Sequence, residues 1–216
     1  MSAQPLRCTR FPHRPGLGRQ RGMGATIILF TIALIVLVGA ALAYASRGNP
    51  SAANVQGGKV YASVLLKQSA DYHDAYSRFI FDGGNAANMT FNITPATANE
   101  LFNPSTQYGT YQAPPPQSVI PPAVATWLYK NNAKVPGVGS GGPGSMIFVA
   151  NVTQEACTET NQQLYGVRSI PTSATTVASL TGTGAVTLDV SLNGRATGCF
   201  VNTEATNVFY VTLNEG

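Results

Sequence analysis

Charge is scarce in this chain: Lys, Arg, Asp and Glu make up 10% of its 216 residues, against 44% hydrophobic residues. A disordered chain needs the reverse, high net charge and few apolar side chains, so that class is excluded. Histidine is scarcer still, with only His13 and His73. Cysteine occurs three times, at Cys8, Cys157 and Cys199, a count that cannot pair off completely within one compartment. The length suits one domain of ordinary size or at most two small ones.

The formal charge of +4 suggests a nucleic-acid binder until it is divided by position. Residues 1–22 carry Arg7, Arg10, Arg14, Arg19 and Arg21 with no acid, a local +5. The other 194 residues hold eight Lys or Arg against nine Asp or Glu, a net of −1. The basicity belongs to the leader. The body has no surface of the kind a phosphate backbone requires, so nucleic acid is excluded as the default partner.

What the chain does have is an uninterrupted apolar run. From Met23 to Ser46 there are 24 residues without a charge, apolar on every side. As a helix this run covers about 36 Å, enough to cross a bilayer core of about 30 Å with some tilt. A secretory signal peptide has a shorter apolar stretch, although Ala41-Leu42-Ala43 and Ala43-Tyr44-Ala45 fit its cleavage pattern. Five arginines precede the run and only Arg47 and Lys59 follow closely. The positive-inside rule therefore puts residues 1–22 in the cytoplasm and residues 47–216 outside. This topology separates Cys8 from Cys157 and Cys199 and leaves the outer pair free to bridge in an oxidising compartment.

Arg19-Gln20-Arg21-Gly22, followed directly by Met23 and the apolar run, resembles the start of a bacterial type IV prepilin or pseudopilin. The resemblance implies cleavage after Gly22 by a prepilin peptidase, with Met23 as the new, methylated N-terminus. It also implies an inner-membrane anchor over 23–46 before assembly, and a periplasmic or filament-surface head over 47–216. The implied partners are the membrane, an assembly platform and other pilin-like subunits. Family members usually carry Glu at the fifth mature position, which is Ile27 here. That acid is thought to neutralise a neighbour's terminal amine, and a buried unpaired ammonium is costly. Its absence favours a minor or tip-located subunit over a principal one.

In the outer part, Pro50 predicts a kink or break, with Ser51 as the cap of a second, amphipathic helix that strengthens from Lys59 to about Ile80. Val60, Val64, Tyr72, Tyr76 and Phe79 form its expected stripe, for core packing or, less simply, ligand stacking. Asp82-Gly83-Gly84-Asn85 ends it. Met89 to Ile93 suggests a short strand, the prolines at 114–116 and 121–122 a stiff surface loop, and Ala123 to Lys130 a short helix or strand. Ser145 to Ala150 reads as a buried strand, followed by a helix that starts at Asn151-Val152-Thr153 and ends at Gly166. Cys157, Asn161 and Leu164 share one face of that helix. Val186, Leu188, Val190 and Leu192 alternate with polar residues, and Asn193-Gly194 predicts a hairpin. Two more strands follow, at 198–202 and 207–213. The pattern is α+β: an N-terminal membrane helix, a second helix, and a C-terminal antiparallel sheet tied to a helix by Cys157–Cys199.

No catalytic or cofactor site emerges. Gly137 to Gly142 satisfies G-x-G-x-x-G, but a dinucleotide site needs a following helix, and a strand is expected there. Asp71 and Asp74 share a helix side, but His73 points away from Asp74, and His13 lies beyond the membrane. Three metal ligands therefore do not converge. Triad or thiol catalysis would have to use His73, and Asp189 and Glu204 have no reason to pair. The triplets at Asn88, Asn92 and Asn151 match the glycosylation pattern by chance in an Asn- and Thr-rich chain. The expected role is structural, without enzyme activity, cofactor, metal or small-molecule substrate. The alternative is an uncleaved single-pass protein whose ectodomain binds a periplasmic or cell-envelope partner.

Overall fold

Pro50 opens the first described helix, α1 (Pro50–Phe81), where its missing N–H is one of those that a first turn leaves unbonded. The computed structural model describes residues 50–91, 100–103, 105, 108–140 and 142–214. The leader, the apolar run 23–46, Gly22, Met23 and Ile27 lie outside these residues. At 32 residues α1 is about 48 Å long. Ser51, expected as its cap, lies inside it. The helix stops where the glycines predict: Gly83 has φ +86° and the Gly84 N–H returns to the Phe79 carbonyl at 2.9 Å.

The buried stripe of α1 differs from the expected one at its start. Leu65, Tyr72, Ala75, Tyr76 and Phe79 are buried, while Val60 is 60% exposed. At 100° per residue Val60 sits about 120° around the axis from Tyr72, a phase error that the intervening polar residues hide in the sequence. Two of those polar residues, Gln68 and Ser69, are themselves buried. Gln68 accepts from Trp127 Nε1 at 3.2 Å and donates to the Ala113 carbonyl at 3.1 Å, so its amide is satisfied inside.

Five strands form one sheet: β1 (Leu128–Lys134), β2 (Gly144–Val152), β3 (Val186–Thr187), β4 (Thr197–Val201) and β5 (Asn207–Asn214), in the order β3-β1-β2-β5-β4. β1–β2, β2–β5 and β5–β4 are antiparallel, whereas β3 runs parallel to β1 through Ala133↔Val186 and Lys134↔Thr187. The sheet is therefore mixed, and it draws β1 and β2 from the middle of the sequence. The uncertain segment 123–130 resolves into strand only from Leu128.

Both sheet faces are covered. On one, Ile147, Val149, Phe209, Val211 and Leu213 meet α1 and α2 (Gln154–Tyr165), together with Trp127 and the cystine. On the other, the alternate residues Met146, Phe148, Val208 and Tyr210 meet Leu180 of the short helix α3 (Val177–Thr181), with Leu188 and Leu192. The grouping of Phe209, Val211 and Leu213 on one face is as the alternation predicts. α2 follows its sequence signals: Thr153 caps its N-terminus, and Gly166 closes it at φ +71°.

The expected hairpin at Asn193-Gly194 is not formed. β3 contains two residues, Val190–Leu192 is a single 3-10 turn, Val190 is 76% exposed, and β3 and β4 lie at opposite edges of the sheet. The Asp189 carboxylate accepts the Ser191 N–H at 3.0 Å and so rewards a turn where a strand would offer it nothing. Leu188, ahead of that turn, and Leu192, its last residue, are buried all the same. Gly194 bonds its N–H to the Pro136 carbonyl at 2.8 Å, beside Gly137, where any Cβ would meet Asn193 Oδ1 at 2.3 Å. The expected strand at 89–93 is reduced, within the described residues, to a single bridge between Thr90 and Glu100.

Candidate functional site

The most organised chemistry in the domain lies where α2 meets α1 and β4. Gly58 brings the two helices together, because a Cβ there would fall 3.0 Å from the Glu155 backbone. Beyond this contact the helices run side by side, with Gln163 Nε2 donating to the Lys59 carbonyl at 3.4 Å. Cys157 on α2 and Cys199 on β4 are disulfide-bonded, with Cα atoms 5.4 Å apart, within the range a cystine requires. Topology and counting predict this pair, and the bond ties helix to sheet as expected. One turn further along α2, fully buried Asn161 donates Nδ2 to the Cys199 carbonyl at 3.1 Å and accepts the Cys199 N–H at 3.0 Å. Its carboxamide thus acts as a neighbouring strand for the edge residue.

The rest of the β4 edge is closed in the same way. The Tyr165 hydroxyl donates to the Thr197 carbonyl, the Val201 N–H bonds the Pro171 carbonyl at 2.8 Å, and the Ser173 N–H bonds the Val201 carbonyl at 2.9 Å. An edge with its donors and acceptors occupied is a poor template for strand addition. Glu159, also buried on α2, pairs with Arg168 at 2.6 Å. Sequence reasoning misses the Asn161 and Glu159 roles. For Asn161 the available signal is its position on the same helix face as Cys157.

Two openings flank α1. A groove of about 570 Å³ runs between Leu66, Ala70 and His73 of α1, Leu164 of α2 and Thr212 of β5. His73 and Asp74 both line it. Among the described residues, no set of three His, Cys, Asp or Glu side chains could hold a metal ion. A smaller recess of about 300 Å³ lies at the other end, between Asn54 and Gly57 of α1 and Gln117, Thr153 and Glu155.

The remaining sequence candidates are structural or separate. Residues 137–140 lie in the β1–β2 turn, with a strand after it and no helix N-terminus to receive a phosphate. Asp189 caps its own turn, and Glu204 accepts from the Val177 N–H at 3.3 Å and Asn202 Nδ2 at 3.1 Å, so the two acids do not face each other. Burial pushes the Tyr72 and Tyr129 hydroxyls up to about 12 and lowers Lys130, whose ammonium caps α3 through the Ser179 and Gly182 carbonyls. These are packing effects at groups bonded to the protein's own backbone and side chains.

Searches against protein-family models, curated proteins and solved structures gave no match. Among the described residues no helix is long and apolar enough to cross a membrane.

Proposed function

We propose that the chain is a type IV pilin-like or pseudopilin-like subunit with a structural role. On this reading a prepilin peptidase cuts between Gly22 and Met23, and the helix over 23–46 anchors the subunit in the inner membrane. The domain from Pro50 onward then becomes the periplasmic or filament-surface head. One observation carries the reading furthest. A 32-residue helix starts four residues after the apolar run and is clasped to a sheet through a second helix and a cystine. A subunit extracted from a membrane into a filament needs a long helix that carries a rigid head.

The uncleaved reading keeps a specific motive. Ile27 stands where a filament-forming relative would place an acid, so a single-pass protein with a retained leader and an envelope-binding ectodomain is the alternative. N-terminal sequencing and intact mass of membrane-extracted protein separate the two. The pilin-like reading expects a chain beginning at Met23 and carrying a methyl group. A mature product that uniformly retains residues 1–22 would end it.

A further inference from the structure

The outward face of α1 mirrors itself. Val60, Ser63, Lys67, Ala70, Asp74 and Phe81 are all exposed, and their steps of three, four and seven residues keep them on one side of the helix. Val60, 60% exposed, and Phe81, 90% exposed, lie equally far from the midpoint between Ala70 and Asp71, about 16 Å each along the axis. Lys67 and Asp74 lie about 5 Å from the same midpoint, one on each side. Two apolar residues and one pair of opposite charges are thus placed symmetrically on a solvent-exposed face. Lys67 also bonds Asp71 of its own helix at 3.3 Å, with both side chains at least half in solvent.

The geometry points to a second copy of this chain as the partner for this face, its α1 antiparallel to the first about a two-fold axis at the Ala70–Asp71 midpoint. The axis brings Val60 of one copy to Phe81 of the other, and Lys67 to Asp74, each contact made twice as an isologous interface requires. The small side chain of Ala70 at the centre lets the helices approach. The two Asp71 carboxylates come near each other at the axis, and each retains its own Lys67. Charge decides the direction. A closed parallel pair is in register and would set Lys67 against Lys67 and Asp74 against Asp74, which repel. A strip one helix wide and about 32 Å long belongs with the small, transient interfaces, so the pair forms at high concentration and Val60 stays in solvent in the dilute chain. The pairing goes beyond the structural role proposed above and uses α1 alone, so it stands or falls apart from the fate of the Gly22–Met23 bond.

Single cysteines and a short bis-maleimide read this arrangement in the full chain, concentrated in detergent, with Cys8→Ser as the background and Cys157–Cys199 intact. Ser63→Cys, Ala70→Cys and Ser77→Cys each change an exposed side chain of α1. In the antiparallel pair Ala70 stands about 1.5 Å along the axis from its counterpart, whereas Ser63 is about 22 Å and Ser77 about 20 Å from theirs. The expected result is a linked dimer from Ala70→Cys alone, none from Ser63→Cys or Ser77→Cys alone, and a linked dimer when those two are mixed. Linking by all three variants alone means a parallel pair, and linking by none means no pair; either overturns the inference. Sedimentation adds the charge. Lys67→Asp should weaken association about tenfold, because two ion pairs are reversed, and Lys67→Asp combined with Asp74→Lys should restore it. Equal association of the variants, or loss without rescue, overturns the Lys67–Asp74 contact and the register built on it.

Discussion

The two faces of the sheet are covered by different means. One lies under 32- and 12-residue helices and is cross-linked to them by a cystine. The other is closed by the five-residue α3, a 3-10 turn and a buried lysine, with no covalent tie. The strands serve both equally, sending alternate residues each way. The difference shows that stability on the first face is vested in a long rod and a bond, and on the second in small pieces that hold one another.

Removing the cystine tests the first face most severely. Bridging residues 42 apart contributes about 4 kcal/mol in the chain-entropy view, so Cys157→Ala with Cys199→Ala should lower unfolding stability by about that amount in urea. Hydrogen exchange should quicken first at α2 and the β4 edge, with α3 retaining its protection. Uniform acceleration across both faces would mean that the two covers act as one. On the second face Leu180→Ala should cost about 3 kcal/mol, because a fully buried leucine leaves a cavity that a five-residue helix cannot fill. Its exchange signature should be the converse: α3 opens while the Asn161–Cys199 clamp stays closed.

Alkali acts on both faces, because burial raises a tyrosine hydroxyl on each. Buried Tyr72 and half-buried Tyr129 lie on the helix side and stay largely neutral in the folded state until about pH 12. Between pH 10 and 12 the unfolded chain ionises these phenols while the folded one does not. The unfolded state then holds fewer protons, and stability falls as pH rises, by up to about 3 kcal/mol from Tyr72 alone. On the other face Tyr210 acts in the same direction as Tyr72, and only Lys130 opposes it. Its lowered pKa means that the unfolded chain binds its proton more tightly, so its penalty is relieved as pH climbs toward 10.5. Urea midpoints between pH 9 and 12 should fall for the native chain, and fall less for Tyr72→Phe.

How much was legible follows the same division. α2 was readable because Thr153 and Gly166 are chemical stop signs at both ends, and β5 because Phe209, Val211 and Leu213 keep period two. The cover of the second face was not. Elements of two to five residues are shorter than the periods used to detect them, and the Val186–Leu192 alternation was built by a turn that buries Leu188 and Leu192 while exposing Val190. For the site, the cysteine pair was visible through topology and counting. Asn161 and Glu159 were not, because a buried polar residue declares itself only through partners brought close by folding, Cys199 and Arg168.

Val60 is the sharpest test of that limit, and the smallest effect. Periodicity counts it with Tyr72 and Phe79, but its position about 120° around the helix leaves it in solvent, while Leu65, further along the same helix, is fully buried. Val60→Ser should therefore change unfolding stability by less than about 0.5 kcal/mol, as surface substitutions do. Leu65→Ala should cost about 2–5 kcal/mol. A Val60 effect of comparable size would mean that the helix is rotated on its face of the sheet, and would move the helix-side core and the groove beside it together.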